Sequence, residues 1–183
     1  MHTVAISMPR KHLIGIAGGL VILVAAVLVW ANRPDSPPLP ADDLADRVVV
    51  DKRARTLTLL DRGRVLKRYR VSLGAHPSGP KRQEGDERTP EGVYVLDYRK
   101  GDSSAHRALH VSYPDSADLA RARARGVAPG GLIMVHGITN GMGWVGRLHR
   151  LVDWTDGCIA VTDREMDEIW RAVPTGTPIE IRP

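Results

Sequence analysis

The chain has 183 residues, of which 43% are apolar and 26% charged, a balance typical of one folded domain with some additional sequence rather than of a disordered chain. It contains a single cysteine, which excludes an internal disulfide and a four-cysteine zinc site. The formal net charge of +5 comes from dispersed arginines among acidic residues, which favours a solvated surface over a surface for anionic partners, and we expect no nucleic-acid partner.

The first predicted element is a transmembrane helix. Residues 13–31 form an uncharged apolar run, which as a helix would span roughly 28 Å, the thickness of a bilayer core. Arg10 and Lys11 precede this run, so residues 1–12 are predicted to stay in the cytoplasm while the rest of the chain is exported. The length of the run favours an uncleaved signal-anchor, although the small residues near Ala31 leave a cleavable signal peptide as the alternative.

Two further features accompany this predicted anchor. Gly15 and Gly19 form a small-xxx-small pair, which predicts a weak tendency toward a helix-mediated dimer. Residues 32–46 contain four prolines in a polar stretch, which predicts an extended, semi-rigid linker. The predicted protein is therefore a single-pass membrane protein whose domain, residues 47–183, lies on the periplasmic or extracytoplasmic side of the membrane.

That domain is predicted to be mainly β with two short helices, arranged as a β-sandwich or a closed sheet. The sequence "DRG" at 61–63 is typical of a hairpin turn, and Gly126 is a typical helix C-cap. Thr162 and Glu165 form a predicted capping box at the start of the second helix. We predict strands over 48–51, 56–60, 65–73, 92–98, 107–114, 130–137, 158–161 and 177–183, and helices over 116–126 and 162–173.

The cysteine lies at a predicted turn, in "LVDWTDGCIAVT" at 151–162. Gly157 lets the backbone bend there and present N–H groups beside the sulfur of Cys158. His136 ends a predicted buried strand, and a cysteine–histidine pair can exist as thiolate and imidazolium, in which the cation lowers the thiol pKa. The residues alone leave two interpretations, a nucleophile with its base or a small core cysteine with a strand-end histidine. The other histidines show no metal-ligand spacing, so we expect no metal.

The combined motifs resemble the L,D-transpeptidase family, the YkuD domain. The sequence "VHG" at 135–137 followed by "TDGCIAV" at 155–161 is similar to its signature of His-Gly, a variable loop and Ser/Thr-His-Gly-Cys. The stretches "VSLG" at 71–74 and "GPKRQEGDERTPEGVYVL" at 79–96 also resemble the family, so that the likeness covers residues 47–182. The resemblance implies a YkuD-like fold for the domain.

The resemblance also implies roles for individual residues. Cys158 corresponds to the nucleophile and His136 to its base. Gly137 follows that histidine, and its carbonyl would orient the imidazole, whereas the N–H groups of Gly157 and Cys158 would form an oxyanion hole. Thr155 matches the Ser/Thr position and borders the predicted substrate cleft. This chemistry needs no cofactor.

The sequence departs from the family pattern at two positions. Asp156 stands where a second histidine is usual in the family, and Ala160 where an arginine or asparagine is common. The carboxylate of Asp156, also at the predicted cleft, is expected to raise the thiol pKa unless it is paired. Trp144 and Trp154 flank the predicted cleft, with core packing as the default role of each and a substrate wall as the alternative. Residues 138–154 are predicted to form part of a substrate lid.

The function implied by the resemblance is that of a peptidoglycan L,D-transpeptidase in cell-wall cross-linking or remodelling. Such an enzyme forms a cysteine thioester with a peptidoglycan stem peptide and transfers it to an amine, and carbapenems typically acylate members of this family. Two alternatives remain open. One is a hydrolase on the same scaffold, which trims peptidoglycan or lipoprotein links. The other is a non-catalytic wall-binding module, in which Asp156 marks a decayed site.

Overall fold

The computed structural model describes residues 10–183, and their side chains from residue 18 onward. Most of the predicted cytoplasmic segment 1–12, residues 1–9, lies outside the described residues. Of the predicted Gly15–Gly19 pair, Gly15 lies in the part of α1 for which only the backbone is described. Between residues 18 and 183, no helix is both long enough and apolar enough to cross a bilayer. The helices are α1 (Arg10–Ala31), α2 (Ser116–Ala124) and α3 (Asp163–Ala172), with a 3₁₀ segment at Gly143–Leu151.

The strands form one eight-stranded sheet. They are β1 (Arg47–Asp51), β2 (Thr56–Asp61), β3 (Arg64–Arg70), β4 (Gly92–Lys100), β5 (Ala108–Val111), β6 (Met134–His136), β7 (Ile159–Ala160) and β8 (Thr177–Arg182). Their order is β3-β2-β1-β8-β4-β5-β6-β7, with parallel pairing only between β1 and β8 and between β6 and β7. The prediction of a mainly β domain with two short helices is confirmed for the described part of this domain.

The sheet curls so that its two ends are joined. The N–H of Ser72 donates to the carbonyl of Ala160 at 2.9 Å, and the N–H of Ala160 donates back at 2.8 Å. Nearby, the N–H of Thr155 donates to the carbonyl of Leu73 at 3.1 Å. The predicted strand 65–73 therefore ends early, at Arg70, because the residues that follow it leave β2 and bond to the chain around β7.

Other predicted strands are also shorter than expected, among them 158–161, of which only Ile159–Ala160 form a strand. Of residues 130–137 only Met134–His136 are extended, because Gly130 and Leu132 have φ values of +74° and +55°, which break a strand. Of residues 107–114 only Ala108–Val111 form a strand. The 3₁₀ segment within the predicted lid was not predicted at all, and Gly146 kinks it with φ of 50° and ψ of −133°.

Turns and caps follow the sequence closely. Arg62 and Gly63 have φ values of 49° and 82°, so the predicted hairpin joins β2 to β3 through a turn with two left-handed residues. At the start of α3, the side chain of Thr162 accepts from the N–H of Glu165, and the Glu165 carboxylate accepts from the N–H of Thr162 at 3.0 Å. This confirms the predicted capping box.

The core contains no phenylalanine and relies on aliphatic side chains with three tyrosines. It lies along the sheet and beneath α3, whose residues Met166 and Ile169 are buried in it. The largest fully buried side chains of the described core are Tyr69, Leu57, Leu59, Leu73, Leu96, Leu109, Ile133, Ile159, Met166, Ile169, Ile179 and Ile181.

The proline-rich segment 32–46 packs against this domain instead of standing free of it. The side chains of Leu39 and Ala45 are buried in the domain core. Lys67 donates to the carbonyl of Pro37 at 2.8 Å, and Arg171 donates to the carbonyl of Leu39 at 2.7 Å. Apolar burial and these charge-assisted bonds hold the segment against the domain.

The end of α1 contacts the 3₁₀ segment. The guanidinium of Arg147 lies 4.4 Å from the centroid of the Trp30 ring, a cation–π contact. Asp35 forms an ion pair with Arg150 at 2.5 Å, and the side-chain amide of Asn32 donates to the carbonyl of Trp144 at 2.9 Å. The predicted lid is therefore attached to the segment that leaves α1.

Replacing Thr162 with alanine is expected to lower the free energy of unfolding by about 1 kcal/mol, because the cap of α3 would be lost. Thr175→Ala is the matched control, since Thr175 is exposed in a turn. Chemical denaturation of both variants measures the difference. Equal midpoints for Thr162→Ala and Thr175→Ala would contradict the stabilising role of the cap.

Candidate active site

The pairing of β6 with β7 places the turn that carries Cys158 beside the strand that ends in His136. In this parallel pair His136 lies opposite Ala160, and Val135 lies opposite Ile159. Cys158 immediately precedes β7 and follows the turn at Gly157. The backbone N–H of Met134 points at the Cys158 Sγ at 3.4 Å, which fixes the sulfur beside β6.

The imidazole of His136 is held as one tautomer. Its Nδ1 lies 2.6 Å from the carbonyl oxygen of Gly137, which can only accept a hydrogen bond, so Nδ1 carries the proton. Nε2 is then the nitrogen with a free lone pair. Burial lowers the pKa of His136 below its ordinary value, against a smaller opposing effect of the bond to Gly137. His136 is therefore a neutral imidazole at neutral pH.

The thiol of Cys158 is also neutral at neutral pH. Burial raises its pKa, and the nearby carboxylate of Asp156 raises it further. The N–H of Met134 and the ammonium of Lys81 act in the opposite direction but do not overcome the burial. Burial thus disfavours the charged forms of both groups, in the direction opposite to the thiolate and imidazolium that such a pair can form. The expected effect of Asp156 on the thiol has the direction found here.

A tight turn presents Cys158. Gly157 has φ of +124°, and a Cβ at this position would lie 2.5 Å from the carbonyl oxygen of Arg88. The hydroxyl of Thr155 accepts from the N–H of Gly157 at 3.2 Å and donates to the carbonyl of Cys158 at 2.7 Å. Thr155 thus closes the turn with its side chain, and the N–H of Gly157 is already engaged. Within residues 10–183, the N–H of Cys158 has no hydrogen-bond acceptor.

Gly137 lies where the end of β6 meets α3. A Cβ there would lie 2.7 Å from the Asp163 carboxylate and 2.9 Å from the Cβ of His106. The same Asp163 accepts from the N–H of Ile138 at 2.7 Å. The glycine lets the first residue of α3 come close enough to hold the backbone just after His136.

The two tryptophans that were predicted to flank the cleft have different surroundings in the structure. Trp154 lies at the site, with its ring edge-on to His136 at a centroid distance of 5.8 Å. Trp144 is 58% exposed on the 3₁₀ segment. The side chain of Asp156 is exposed beside the turn, whereas Ala160 is fully buried.

Three residues near the site were not singled out by the sequence motifs. Lys81 is buried, forms an ion pair with Asp86 at 2.8 Å, and acts on the thiol through its charge. Ser72 and His149 are buried together, with Ser72 Oγ donating to the carbonyl of His149 at 3.0 Å. Lys81 lies within the "GPKRQEGDERTPEG" stretch, whose likeness to the family was the available sign.

Across the described side chains, no group of three or more His, Cys, Asp or Glu residues could hold a metal ion.

Comparison with known proteins identifies the family of this domain. The YkuD family, the L,D-transpeptidase catalytic domain, matches residues 45–181, and the chain belongs to this family. The resemblance inferred from the motifs is therefore confirmed. YafK of Escherichia coli (strain K12), which is named as a candidate L,D-transpeptidase, is 28% identical over 132 residues, which cover 69% of this chain and 46% of YafK.

Solved structures share the fold. The helical cell shape determining protein Pgp2 of Campylobacter jejuni has a TM-score of 0.59 at 22% identity, covering 86% of this chain and 54% of Pgp2. Bd1075 of Bdellovibrio bacteriovorus has a TM-score of 0.54 at 23% identity, covering 79% of this chain and 53% of Bd1075. The chain thus spans about half the length of these relatives.

Gly157→Ala is expected to destabilise the domain by more than the ~1–3 kcal/mol of an unfavourable backbone conformation, because its Cβ would also meet the Arg88 carbonyl. Gly63→Ala is the matched control, with φ of +82° and no atom within 4 Å of the added Cβ. Denaturant titration compares the two unfolding free energies. A loss for Gly157→Ala no larger than that for Gly63→Ala would show that the contact with Arg88 does not constrain the turn.

The raised pKa of Cys158 predicts slow alkylation at neutral pH, because the thiolate forms only as the pH rises past the ordinary thiol value of about 8.5. Asp156→Asn removes a nearby negative charge, so the rate profile should move to lower pH. Iodoacetamide alkylation from pH 6 to 11 measures this shift, with the exposed Asp102→Asn as control. A half-maximal rate below the ordinary thiol pKa, or a profile that Asp156→Asn leaves in place, would contradict these assignments.

Proposed function

We propose that this protein is a peptidoglycan L,D-transpeptidase in which Cys158 is the nucleophile and His136 its general base. The observation that carries the proposal is the placement of a thiol beside β6, the strand that ends in a neutral imidazole whose Nδ1 is fixed on the Gly137 carbonyl. Both residues lie within a YkuD catalytic domain. The imidazole offers Nε2 as the only proton acceptor of the pair, which is the arrangement that activation of a neutral thiol requires.

In the first half-reaction, Sγ of Cys158 attacks the carbonyl carbon of the third residue of a stem peptide, which is L-configured at its reacting centre. The thiol proton passes to Nε2 of His136 as the C–S bond forms. The tetrahedral intermediate collapses, the C–N bond breaks, and the imidazolium returns the proton to the departing amine of the D-residue. A thioester and a neutral imidazole remain.

In the second half-reaction, an amine from another stem peptide attacks the thioester. His136 takes a proton from this amine as the C–N bond forms, the C–S bond breaks, and the proton returns to the sulfur. The developing oxyanion in both halves would be stabilised by the N–H of Cys158, which has no acceptor within the described chain. The N–H of Gly157 is engaged by Thr155 and is not needed in this scheme.

Burial gives the coupled proton transfer a physical reason. A resting ion pair would place two charges in a site that burial makes unfavourable for both, as the opposite pKa shifts of Cys158 and His136 indicate. Transferring the proton only as the sulfur attacks avoids that cost in the resting enzyme.

The proposal includes membrane attachment through residues 13–31, with the domain on the outer side, where peptidoglycan lies. It is supported by the uncharged run and by Arg10 and Lys11 before it. A role in cell shape belongs to the same proposal, because Pgp2 is described as a helical cell shape determining protein.

One specific observation favours an alternative. The exposed carboxylate of Asp156 raises the thiol pKa, which is the change expected if the domain only binds the cell wall. The hydrolase alternative uses the same residues and differs in taking water as the acceptor.

The test of the reaction is product analysis by mass spectrometry. Full-length protein in detergent is incubated with disaccharide-tetrapeptide, with and without an added D-amino acid. We expect release of the terminal D-residue and, with the amine present, its replacement by the added amino acid. Cys158→Ser is expected to yield neither, because a hydroxyl is far harder to deprotonate than a thiol.

The outcomes separate the alternatives. A tripeptide product whose yield the amine does not change would establish the hydrolase. Absence of product with wild type and Cys158→Ser alike, with retained binding to cell-wall sacculi, would establish the binding module.

The anchor is tested with reporters fused after Asp43. A reporter active only outside the cytoplasm should work in the intact fusion, and the fusion should sediment with membranes. Activity of a reporter that works only in the cytoplasm would contradict the topology, whereas a shortened soluble fusion would contradict the uncleaved anchor.

A further inference from the structure

Next to the proposed base lies a second buried histidine, His149, which the reaction scheme does not use. Its side chain sits in the 3₁₀ segment, and the residue is only 8% exposed. The indole N–H of Trp154 donates to His149 Nδ1 at 3.4 Å, and Ser72 Oγ lies 3.3 Å from the same nitrogen. Since an indole N–H can only donate, Nδ1 must carry the lone pair and Nε2 the proton.

The surroundings keep this ring neutral. Burial lowers the pKa of His149 to about 4, with further lowering by the charges of Arg150 and His136. Within the described residues, Nε2 of His149 has no hydrogen-bond partner, so Nδ1 makes the polar contacts of the ring. Protonation of Nδ1 would break the bond from Trp154, which a neutral ring preserves.

Ser72 connects His149 to the strand that follows the nucleophile. Ser72 Oγ donates to the carbonyl of His149 at 3.0 Å. The backbone of the same Ser72 exchanges two hydrogen bonds with Ala160, and Ala160 pairs with His136 across β6 and β7. The position of His149 relative to His136 is therefore set by the sheet as well as by the 3₁₀ segment.

Trp154 lies between the two histidines. Its ring stands edge-on to His136, with a centroid distance of 5.8 Å, and edge-on to His149, with a centroid distance of 6.4 Å. The indole is thus in contact with the imidazole of His136 on one side and bonded through its N–H to His149 on the other.

We propose that His149 is a positioning residue, which accepts the N–H of Trp154 and so holds the indole against His136, keeping that imidazole oriented and shielded from water. His149 acts through Trp154 and does not touch the substrate. The inference rests on the proposed role of His136 as base, but the arrangement it describes is measurable without any turnover.

The experiment measures the protonation of His136 directly. Imidazole nitrogen NMR on the full-length protein in detergent micelles follows the titration of His136 in wild type, His149→Leu, His149→Asn and Trp154→Phe. Leucine removes the acceptor, asparagine places an acceptor oxygen near the position of Nδ1, and phenylalanine keeps a ring but removes the N–H.

We expect His136 in wild type to titrate below its ordinary value of about 6.5. In His149→Leu and in Trp154→Phe the midpoint should rise toward that value, because a loosened ring admits water to His136. His149→Asn should stay close to wild type, and the double variant His149→Leu/Trp154→Phe should shift no further than either single variant, since both remove the same hydrogen bond.

A kinetic readout distinguishes positioning from binding. If the enzyme is a transpeptidase, His149→Leu should lower kcat by up to about 100-fold and leave KM unchanged, because the base is misaligned. Failure of the proposed function would remove this readout but leave the NMR titration intact.

The proposal is overturned if folded His149→Leu titrates like wild type, if asparagine shifts the His136 midpoint as far as leucine does, or if the double variant shows the sum of the single shifts. Should His149→Leu fail to fold, Trp154→Phe decides alone. A wild-type titration curve in that variant would overturn the proposal.

Discussion

The close contact between Gly157 and the carbonyl of Arg88 is the constraint on which the site depends. No side chain fits between them, and the backbone at Gly157 adopts a conformation that glycine tolerates best. The loop that carries Arg88 is organised by Asp86, whose carboxylate accepts from backbone N–H groups of Arg82, Gln83 and Arg88 and pairs with Lys81. This loop supports the turn from one side, and the hydroxyl of Thr155 closes it from within. The sulfur of Cys158 is placed beside β6 as a result.

The same tight packing determines the chemistry. His136 is buried and Cys158 is half-buried, and each has its pKa moved in the direction that favours the neutral form at neutral pH. The Gly137 carbonyl selects the tautomer of His136 and leaves the lone pair on Nε2. In the proposed mechanism, the nucleophile is therefore activated during the attack on the substrate. The exposed Asp156 strengthens the preference for the neutral thiol.

The parts that could be predicted from the sequence are those set by neighbouring residues. Alternation of apolar and polar residues predicted the strands. The sequence "DRG", which contains Arg62 and Gly63, predicted the hairpin turn, and Thr162 with Glu165 predicted the cap of α3. The motifs around His136 and Cys158, combined with the stretches at 71–74 and 79–96, were sufficient to indicate the family.

The parts that could not be predicted depend on contacts between distant residues. The charge state of Cys158 follows from burial, which no local pattern reveals. The packing of Leu39 into the core and the ion pair of Asp35 with Arg150 join the proline-rich segment to the domain across more than a hundred positions. The hydrogen bond of Trp154 to His149 required the kinked 3₁₀ segment, whose two halves meet at Gly146.

The central claim is that the half-buried thiol of Cys158 becomes a nucleophile through His136. Intact-protein mass spectrometry after exposure to a carbapenem tests it most directly, because the β-lactam ring traps the acyl-enzyme without any choice of acceptor. The account predicts that wild type gains the mass of one carbapenem on Cys158, that His136→Ala gains it much more slowly at neutral pH, and that Cys158→Ser gains none. A wild-type protein that remains unmodified from neutral to alkaline pH, or a His136→Ala variant that is acylated as fast as wild type, would contradict it.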